Sequence, residues 1–403
     1  PPFLALAAAF LALPLTAPAN PSDSIFKEFN DLGYGTLSGR FQNLSMYRDI
    51  ELRQAYGYNS TLEALLAYNS PQFGGFDLGW AYNYAFTLFE GGNTSLLAND
   101  DINILNEAWG RFNFDAAGLG DNQIVAGRKI VDGEVFRADD FRQKSRSIEA
   151  LQFITKEIPD TTLTMGHAIR LSNWLGSGDQ WNFNDFGDVF YRGKAPGAGM
   201  GYDTDGVTWA EALYTGFDGW EIALFDAYAW DVANLVGTRI QYSLNKDAKL
   251  IGYYRHENAV GKAPSRQSDA YGLSYQHNLG KFTLEPGYFA VHGADLMFQE
   301  YTTGINHPLG ASMIICSCQF YGGAQTAFIK ATTKVGKTTL YCLYNYTWHD
   351  KNHFDGQEVN LVVKYPITDC FSVCFKGGVG YRDWQGRDNT TSTDSRLFIT
   401  YTF

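Results

Sequence analysis

Charged side chains of both signs are concentrated in one polar stretch, Asp132–Arg146 (DGEVFRADDFRQKSR). Its arginines could bind acidic solutes, because a guanidinium group meets a carboxylate through a planar, bidentate and permanently charged fork. Carboxylates opposite those arginines would orient a solute that carries both charges. A connection of this length usually has a task of its own, although an ordinary solvated loop would also fit. The charged residues are Asp132, Glu134, Arg137, Asp139, Asp140, Arg142, Lys144 and Arg146.

Two stretches of alternating character flank this connection, Asn122–Val131 before it and Ser147–Glu157 after it. Phe76–Phe89 gives the clearest example of the same pattern. Its even-numbered positions are large and apolar, whereas its odd-numbered positions, such as Asp77 and Asn83, are small or polar. Successive side chains of a strand point to opposite sides of a sheet, so this alternation predicts a strand with one apolar face.

The pattern recurs along the chain and predicts an all-β fold with about eighteen strands. The aromatic content of 16% and the low number of prolines (12) agree with this, since strands favour aromatic side chains and exclude proline. The predicted strands lie near residues 35–47, 59–69, 75–89, 102–116, 121–131, 147–157, 161–174, 207–217, 219–232, 238–245, 248–258, 269–279, 281–292, 324–335, 338–350, 356–367, 371–384 and 394–403.

Connections between the predicted strands alternate between short and long. Short ones include 158–160 and 245–247, whereas the longest are 175–206 and 292–323. This alternation is typical of a transmembrane, antiparallel, up-and-down β-barrel with short periplasmic turns and long outer loops. Residues 232–238 do not follow the alternation, because a long loop is expected there. About eighteen strands would enclose a lumen too wide to be filled by wall side chains alone.

Residues 1–19 predict a secretory signal peptide that lacks its start and its basic segment. They are apolar and rich in alanine, and they end in Ala17-Pro18-Ala19, a typical cleavage sequence. A buried or membrane-spanning helix is disfavoured because the run is short and contains Pro14. Residues 20–403 are then expected to form a single β-barrel domain in the outer membrane, with 132–146 folded into its lumen as a constriction loop.

Composition and motifs exclude several functional classes. The net charge of −12, from 31 Lys and Arg against 43 Asp and Glu, argues against a nucleic-acid partner, which needs a basic face. No Ser-His-Asp spacing, phosphate-binding loop or metal-binding cluster rises above chance, so we predict no enzyme, no metal and no other cofactor. The five cysteines are expected to be mostly free or structural. His167 and His292 are expected to be structural.

Basic residues on the polar faces of predicted strands form a second set of candidate site residues. A charged group facing lipid is costly, so some of them should border a water-filled lumen. The alternative is that each one pairs with a neighbouring carboxylate and stiffens the wall. The set comprises Arg40, Arg111, Arg128, Arg170 and Arg255, of which Arg255 is ambiguous because both faces of its strand carry tyrosine and a basic group.

Large aromatic residues are a further feature of the predicted outer surface. They would lie in the aromatic belts at the two membrane interfaces, or contact lipid or another protomer. Examples are Trp80, Tyr82, Tyr344, Tyr346, Trp348 and Tyr401.

Several short motifs, in order along nearly the whole chain, resemble the OprD-type, substrate-specific outer-membrane porins of Gram-negative bacteria. They are GTLSGRFQ (Gly35–Gln42), YRD (Tyr47–Asp49), AGRK (Ala126–Lys129), RSIEALQF (Arg146–Phe153), GINHPLG (Gly304–Gly310) and AFIKATTKVGKTTL (Ala327–Leu340). The resemblance implies an eighteen-stranded barrel that forms a trimer, with its third outer loop folded inward. It also implies passage of small, often carboxylate-bearing solutes along lumen arginines and lysines. The acidic loops and the five cysteines depart from the family pattern.

The last strand ends in Phe403, after an apolar stripe of alternate residues in the segment SRLFITYTF. A terminal strand of this kind matches the signal that outer-membrane barrels present to the barrel-assembly machinery. Taken together, the sequence predicts a porin that is selective for small anionic or zwitterionic solutes. A general diffusion porin of the same architecture is the alternative, and an outer-membrane enzyme or a soluble secreted β-protein would be a different class.

Overall fold

The computed structural model describes residues 26–51, 55–93, 101–138, 142–172, 183–186, 204–263, 265–298, 312–314, 316–350, 354–386 and 388–403. The predicted signal peptide, residues 1–19, lies outside this part of the chain. In the part that is described, no helix combines the length and the apolar character needed to cross a membrane. The predicted division into signal peptide and barrel stays a prediction.

Strands make up most of the described residues. The alternating sequence favours them, because successive side chains of a strand point to opposite faces of the sheet. One short helix precedes them, α1 (Lys27–Asp31). The strands are β1 (Thr36–Ile50), β2 (Ala55–Asn69), β3 (Phe76–Gly92), β4 (Ile102–Asn113), β5 (Asn122–Lys129), β6 (Ser147–Thr155), β7 (Thr161–Ser172), β8 (Asn184–Asp185), β9 (Val207–Tyr214), β10 (Trp220–Ala229), β11 (Ala233–Asn245), β12 (Ala248–Ala259), β13 (Gln267–Asn278), β14 (Phe282–Gly293), β15 (Ala324–Val335), β16 (Thr338–His349), β17 (Phe354–Pro366), β18 (Phe371–Trp384) and β19 (Thr390–Thr402). Asp115–Ala117 and Cys316–Phe320 are 3₁₀ turns.

The strands form one closed antiparallel barrel. Each long strand pairs with its neighbours in the sequence, and β1 closes the ring by pairing with both β2 and β19. β8 has only 2 residues and adds to the free end of β7, while β7 and β9 pair directly. The barrel wall therefore has the eighteen strands predicted from the alternation, and the predicted fold class is confirmed.

Most predicted strand ends agree with the structure to within a few residues, and β11 is the main difference. It begins at Ala233, where a connection had been expected to continue to residue 238. The extra residues pair with β10 on one side and β12 on the other, from Ala233 opposite Ala229 and Ala259 onward. The outer connection here is consequently even shorter than the sequence indicated.

The barrel wall is apolar on its outer face and polar on its inner face, which is the reverse of a soluble barrel. In β3, Phe76 and Leu78 are exposed on the outside, whereas Asp77 and Asn83 are buried on the inside. The predicted division of this strand into an apolar and a polar face is thus confirmed. An apolar exterior around a polar interior is the arrangement of a membrane barrel, in which lipid replaces water outside.

Outward-facing tyrosines hydrogen-bond across strands. The Tyr344 hydroxyl donates to Gln357 Oε1 at 3.2 Å, and the Tyr346 hydroxyl donates to Asp355 Oδ2 at 3.0 Å. Their rings present apolar surface while the hydroxyls find polar partners, which suits the interfacial belt predicted for these residues. The predicted structural histidines also have partners, since His167 Nδ1 lies 2.9 Å from Thr208 Oγ1 and His292 Nε2 lies 2.8 Å from the Tyr271 hydroxyl.

Candidate functional site

The connection between β5 and β6, residues 130–146, begins against the inner wall at β9 and β11. The amide N–H of Val135 donates to Glu211 Oε1 at 2.6 Å, and Glu134 Oε1 pairs with Arg239 Nε at 2.7 Å. The Phe136 ring is 2% exposed and packs edge-on against Trp209, with ring centroids 4.9 Å apart. Since Glu211 and Arg239 lie on strands distant from β5 and β6, this half of the connection lies inside the barrel.

The second half of the connection lies against a different part of the wall. The carbonyl oxygen of Gln143 accepts a hydrogen bond from Arg40 Nη2 at 3.3 Å, which attaches it to β1. Lys144 Nζ donates to Asn106 Oδ1 at 3.2 Å and to Ser172 Oγ at 2.7 Å, and the side chain is 1% exposed. The described residues of the connection therefore cross the interior, from β9 and β11 to β1.

Within the connection, most of the predicted charged residues have defined partners. Glu134 also pairs with Arg137 at 3.2 Å, and Asp132 Oδ1 accepts the N–H of Ala138 at 3.2 Å. Arg146 is buried. Asp139 and Asp140 lie outside the described residues, so the expected opposition between them and the arginines stays a prediction.

The strand arginines singled out from the sequence all have carboxylate partners, as the alternative interpretation proposed. Arg255 and its partner Glu257 have no exposed surface at all, so Arg255 borders no open water path. The other pairs leave little uncompensated charge at their positions. The pairs are Arg40–Glu63 (2.9 Å), Arg111–Asp77 (2.5 Å), Arg128–Glu149 (3.2 Å), Arg170–Asp185 (3.2 Å) and Arg255–Glu257 (2.5 Å).

A cluster of arginines that the sequence did not single out surrounds one carboxylate, Asp394. Arg48 Nε donates to Asp394 Oδ2 at 2.6 Å, and Arg396 Nε donates to Asp394 Oδ1 at 2.8 Å. Arg142, from the connection, interacts electrostatically with all three of these side chains. We call Arg48, Arg142 and Arg396 the arginine cluster, in which, among the described residues, three guanidinium groups surround the carboxylate of Asp394.

Two observations describe the electrostatics of the arginine cluster. Burial, and then the positive charges of Arg48 and Arg396, lower the pKa of Arg142 well below its usual range. The Arg48 side chain is 18% exposed whereas Arg396 has no exposed surface, so solvent reaches the cluster at Arg48. An anion at this position would relieve the repulsion among the guanidinium groups and would find bidentate donors.

The sequence held only a partial signal for this cluster. Arg396 and Asp394 alternate with the apolar stripe of the last strand, and Arg48 belongs to the YRD motif. Their contact depends on the pairing of β1 with β19, which places Arg48 directly opposite Asp394 although the two are 346 residues apart. The pairing of β18 with β19 places Lys376 opposite Arg396, which adds another basic residue to this part of the wall.

A cavity of about 290 Å³ lies beside the first half of the connection, with the opposite balance of charge. Its lining includes the carboxylates of Asp132, Glu134 and Glu211, against the guanidinium groups of Arg137 and Arg239. Carboxylates therefore outnumber cations on this side, whereas cations outnumber carboxylates at the arginine cluster. The two halves of the connection therefore lie beside groups with opposite balances of charge.

No protein-family model matches the sequence, and no curated protein matches it either. Solved structures do match nearly the whole chain. A BenF-like porin from Pseudomonas fluorescens Pf-5 has a TM-score of 0.74 at 16% identity, covering 92% of this chain and 98% of its own. Pseudomonas aeruginosa OpdK with vanillate has a TM-score of 0.74 at 15% identity, covering 91% and 98%. Pseudomonas aeruginosa OccK2 (OpdF) in complex with glucuronate has a TM-score of 0.74 at 17% identity, covering 92% and 98%.

The chain has the fold of an OprD-type outer-membrane porin. In this porin fold, residues 130–146 are the third connection on the side of the barrel that carries the long loops, after 51–54 and 93–101. This is the position that the resemblance assigned to the inward-folded loop.

Lys144 gives this porin fold a group that titrates near neutral pH in its interior. Burial, opposed by the charge of Glu63, lowers the pKa of Lys144 to about 7. The side chain is therefore cationic below about pH 7 and neutral above it. We expect the ratio of anion to cation permeability to fall as the pH rises from about 6 to about 8, and Lys144→Met should remove part of this fall.

The measurement for Lys144 is the reversal potential in a salt gradient across a planar bilayer at each pH. Lys156→Met is the control, because Lys156 is an exposed residue after β6, far from the connection. Equal pH dependence in Lys144→Met and wild type would show that Lys144 does not contribute to the field in the pore.

Proposed function

We propose that the protein is an outer-membrane channel through which small carboxylate-bearing solutes, anionic or zwitterionic, diffuse passively. The porin fold and the exposed apolar outer face support a water-filled pore in a bilayer. Passage through such a pore requires a narrow point, an electric field and weak sites that release the solute again.

The arginine cluster is the observation that supports the proposed selectivity. Among the described residues, three guanidinium groups surround the carboxylate of Asp394, and one of them, Arg142, belongs to the connection that we propose to narrow the pore. A solute carboxylate would replace some of the missing negative charge without being held permanently, because Asp394 already neutralises part of the site. Vanillate and glucuronate, bound by the similar OpdK and OccK2, both carry a carboxylate.

The carboxylate-rich cavity favours solutes that also carry a positive group. Asp132, Glu134 and Glu211 would attract an ammonium group toward β9 while the arginine cluster attracts the carboxylate toward β1. A zwitterion would then cross with its dipole along the field between the two sides. This orientation would favour amino acids over simple monocarboxylates of the same size.

Single-channel recording of the refolded protein in a planar bilayer tests this function. We expect discrete conductance steps and a preference for anions over cations. We also expect monocarboxylates and amino acids to block the current, with a block that increases with solute concentration and then saturates. Neutral sugars of similar size are the control and should not produce saturable block. Steps that respond equally to every solute would contradict selectivity, and a folded, inserted barrel without steps would contradict the channel.

A general diffusion porin is the second candidate, and the paired strand arginines favour it. Arg40, Arg111 and Arg128 each have a carboxylate partner, so they attract a passing anion only weakly. In that case the connection sets the size limit alone. The trimer and the recognition of Phe403 by the barrel-assembly machinery remain predictions, which cross-linking in membranes and deletion of Phe403 would test.

A further inference from the structure

A second long connection, residues 294–323 between β14 and β15, also enters the barrel where it is described. Leu296, Met297 and Phe298 are at most 1% exposed and pack in the same apolar cluster as Phe136. Near the other end, Met313 is 2% exposed. The sequence had predicted only a long outer loop here, because these residues show no strand periodicity.

Two buried wall carboxylates bind the main chain of this connection. Glu257 Oε2 on β12 accepts the amide N–H groups of Met297 and Phe298, the second at 3.3 Å. Glu358 Oε1 on β17 accepts the amide N–H groups of Met313 and Ile314, both at 2.9 Å. Each carboxylate thus binds two successive N–H groups, one pair on either side of the loop centre.

Met313 links these hydrogen bonds to the arginine cluster. The carbonyl oxygen of Met313 accepts a hydrogen bond from Arg48 Nη2 at 3.2 Å, while its N–H donates to Glu358. Arg48 is accordingly oriented by Asp394 from one direction and by the Met313 carbonyl from another. A shift of residues 312–314 would remove the second restraint on Arg48.

We propose that Glu358 is a positioning residue for the arginine cluster, acting through Met313, and that Glu257 fixes the other end of the same connection. The role at the cluster rests on the proposed channel function. A carboxylate is suited to holding the main chain of the connection, because a hydrogen bond to an ionised group is about twice as strong as one between neutral groups. The amide N–H groups are buried and would be costly to leave without an acceptor.

Glu358→Gln is the first test, since it preserves size while it removes the charge and replaces one acceptor oxygen by an NH2 group. We expect amide exchange of residues 313 and 314, followed by mass spectrometry, to become roughly tenfold faster. We also expect the dissociation constant for block by a monocarboxylate to rise roughly tenfold, because Arg48 loses its restraint. Met313→Pro removes the bond of the Met313 N–H from the loop side and leaves the wall intact. Because proline has no amide N–H, exchange is then measured at residue 314 alone. It should become faster, and block should weaken as in Glu358→Gln, even if Glu358→Gln folds poorly.

Glu157→Gln is the matched control. Glu157 also accepts a main-chain N–H, that of Asp121, but it does so in the turns at the opposite end of the barrel. Exchange at residue 121 should increase while block by solute stays unchanged. For Glu257, the double variant Arg255→Met/Glu257→Gln removes both buried charges together and should speed exchange at residues 297 and 298.

The two measurements separate this proposal from the channel function. Unchanged exchange at residues 313 and 314 in Glu358→Gln, together with unchanged exchange at residue 314 in Met313→Pro, would overturn the positioning role, whatever the conductance. Faster exchange with unchanged block would also overturn it, because the connection would then not affect the cluster. If wild type itself shows no saturable block, the proposed selectivity fails, while the exchange data still report whether Glu358 binds the connection.

Discussion

Replacing Arg48 and Arg142 together by glutamine is expected to abolish most of the anion preference that we propose for the pore. The two substitutions remove two of the three guanidinium groups around Asp394 and leave it with Arg396 alone. Each charge-assisted hydrogen bond to a solute contributes about 1.5–3 kcal/mol, so the dissociation constant for block by a monocarboxylate should rise at least tenfold. The reversal potential in a salt gradient should shift toward zero.

Arg170→Gln is the matched control for this double variant. Its side chain is 43% exposed and pairs with Asp185 at 3.2 Å, away from Asp394. We expect its reversal potential and its block by solute to match those of wild type. An unchanged reversal potential in the double variant would show that the arginine cluster does not border the path of the ions.

Phe136→Ala is expected to release the first half of the β5–β6 connection from the wall and to raise the open-channel conductance. The ring lies against Trp209 and Phe186, at centroid distances of 4.9 Å and 6.0 Å, in the largest apolar cluster of the interior. Truncating a buried phenylalanine to alanine costs about 3–5 kcal/mol. The apolar contacts of Val135, its hydrogen bond to Glu211 and the Glu134–Arg239 pair must then hold this half without the ring.

Single-channel conductance and the temperature at which the barrel unfolds on heating in detergent are the two measurements for Phe136→Ala. The barrel should stay folded, because the wall is held by strand pairing on every side. Leu151→Ala is the control, since Leu151 is 58% exposed on β6 and lies outside the interior cluster. Equal conductance in Phe136→Ala and wild type would mean that the connection does not narrow the pore.

The strands themselves followed from local sequence. In β3 the alternation of apolar and polar residues depends only on the geometry of an extended chain, which turns successive side chains to opposite faces. The same reasoning predicted the number of strands and most strand ends. It missed the start of β11, because Ala233–Gly237 lack a clear alternation yet pair with β10 and β12. The lengths of the connections alone predicted which end of the barrel carries the long loops.

The contents of the lumen depended on tertiary structure. The sequence identified the β5–β6 connection as a candidate because of its charges, but it could not show that Phe136 packs against Trp209 or that Lys144 is buried between β4 and β7. It gave no sign that residues 296–298 and 312–314 enter the barrel, because their acceptors are single glutamates on distant strands. It proposed Arg255 as a candidate lumen cation, whereas the closed barrel buries it with Glu257.

Thus the sequence alone determined the strands, their faces and the sidedness of the connections, since each depends on neighbouring residues. Only the closed barrel decided which charges meet. Arg48 and Asp394 come together because the first strand pairs with the last, across 346 residues, and Arg142 joins them because a connection turns inward. Ring closure and inward folding depend on the whole chain, so the local periodicity of the sequence does not predict them.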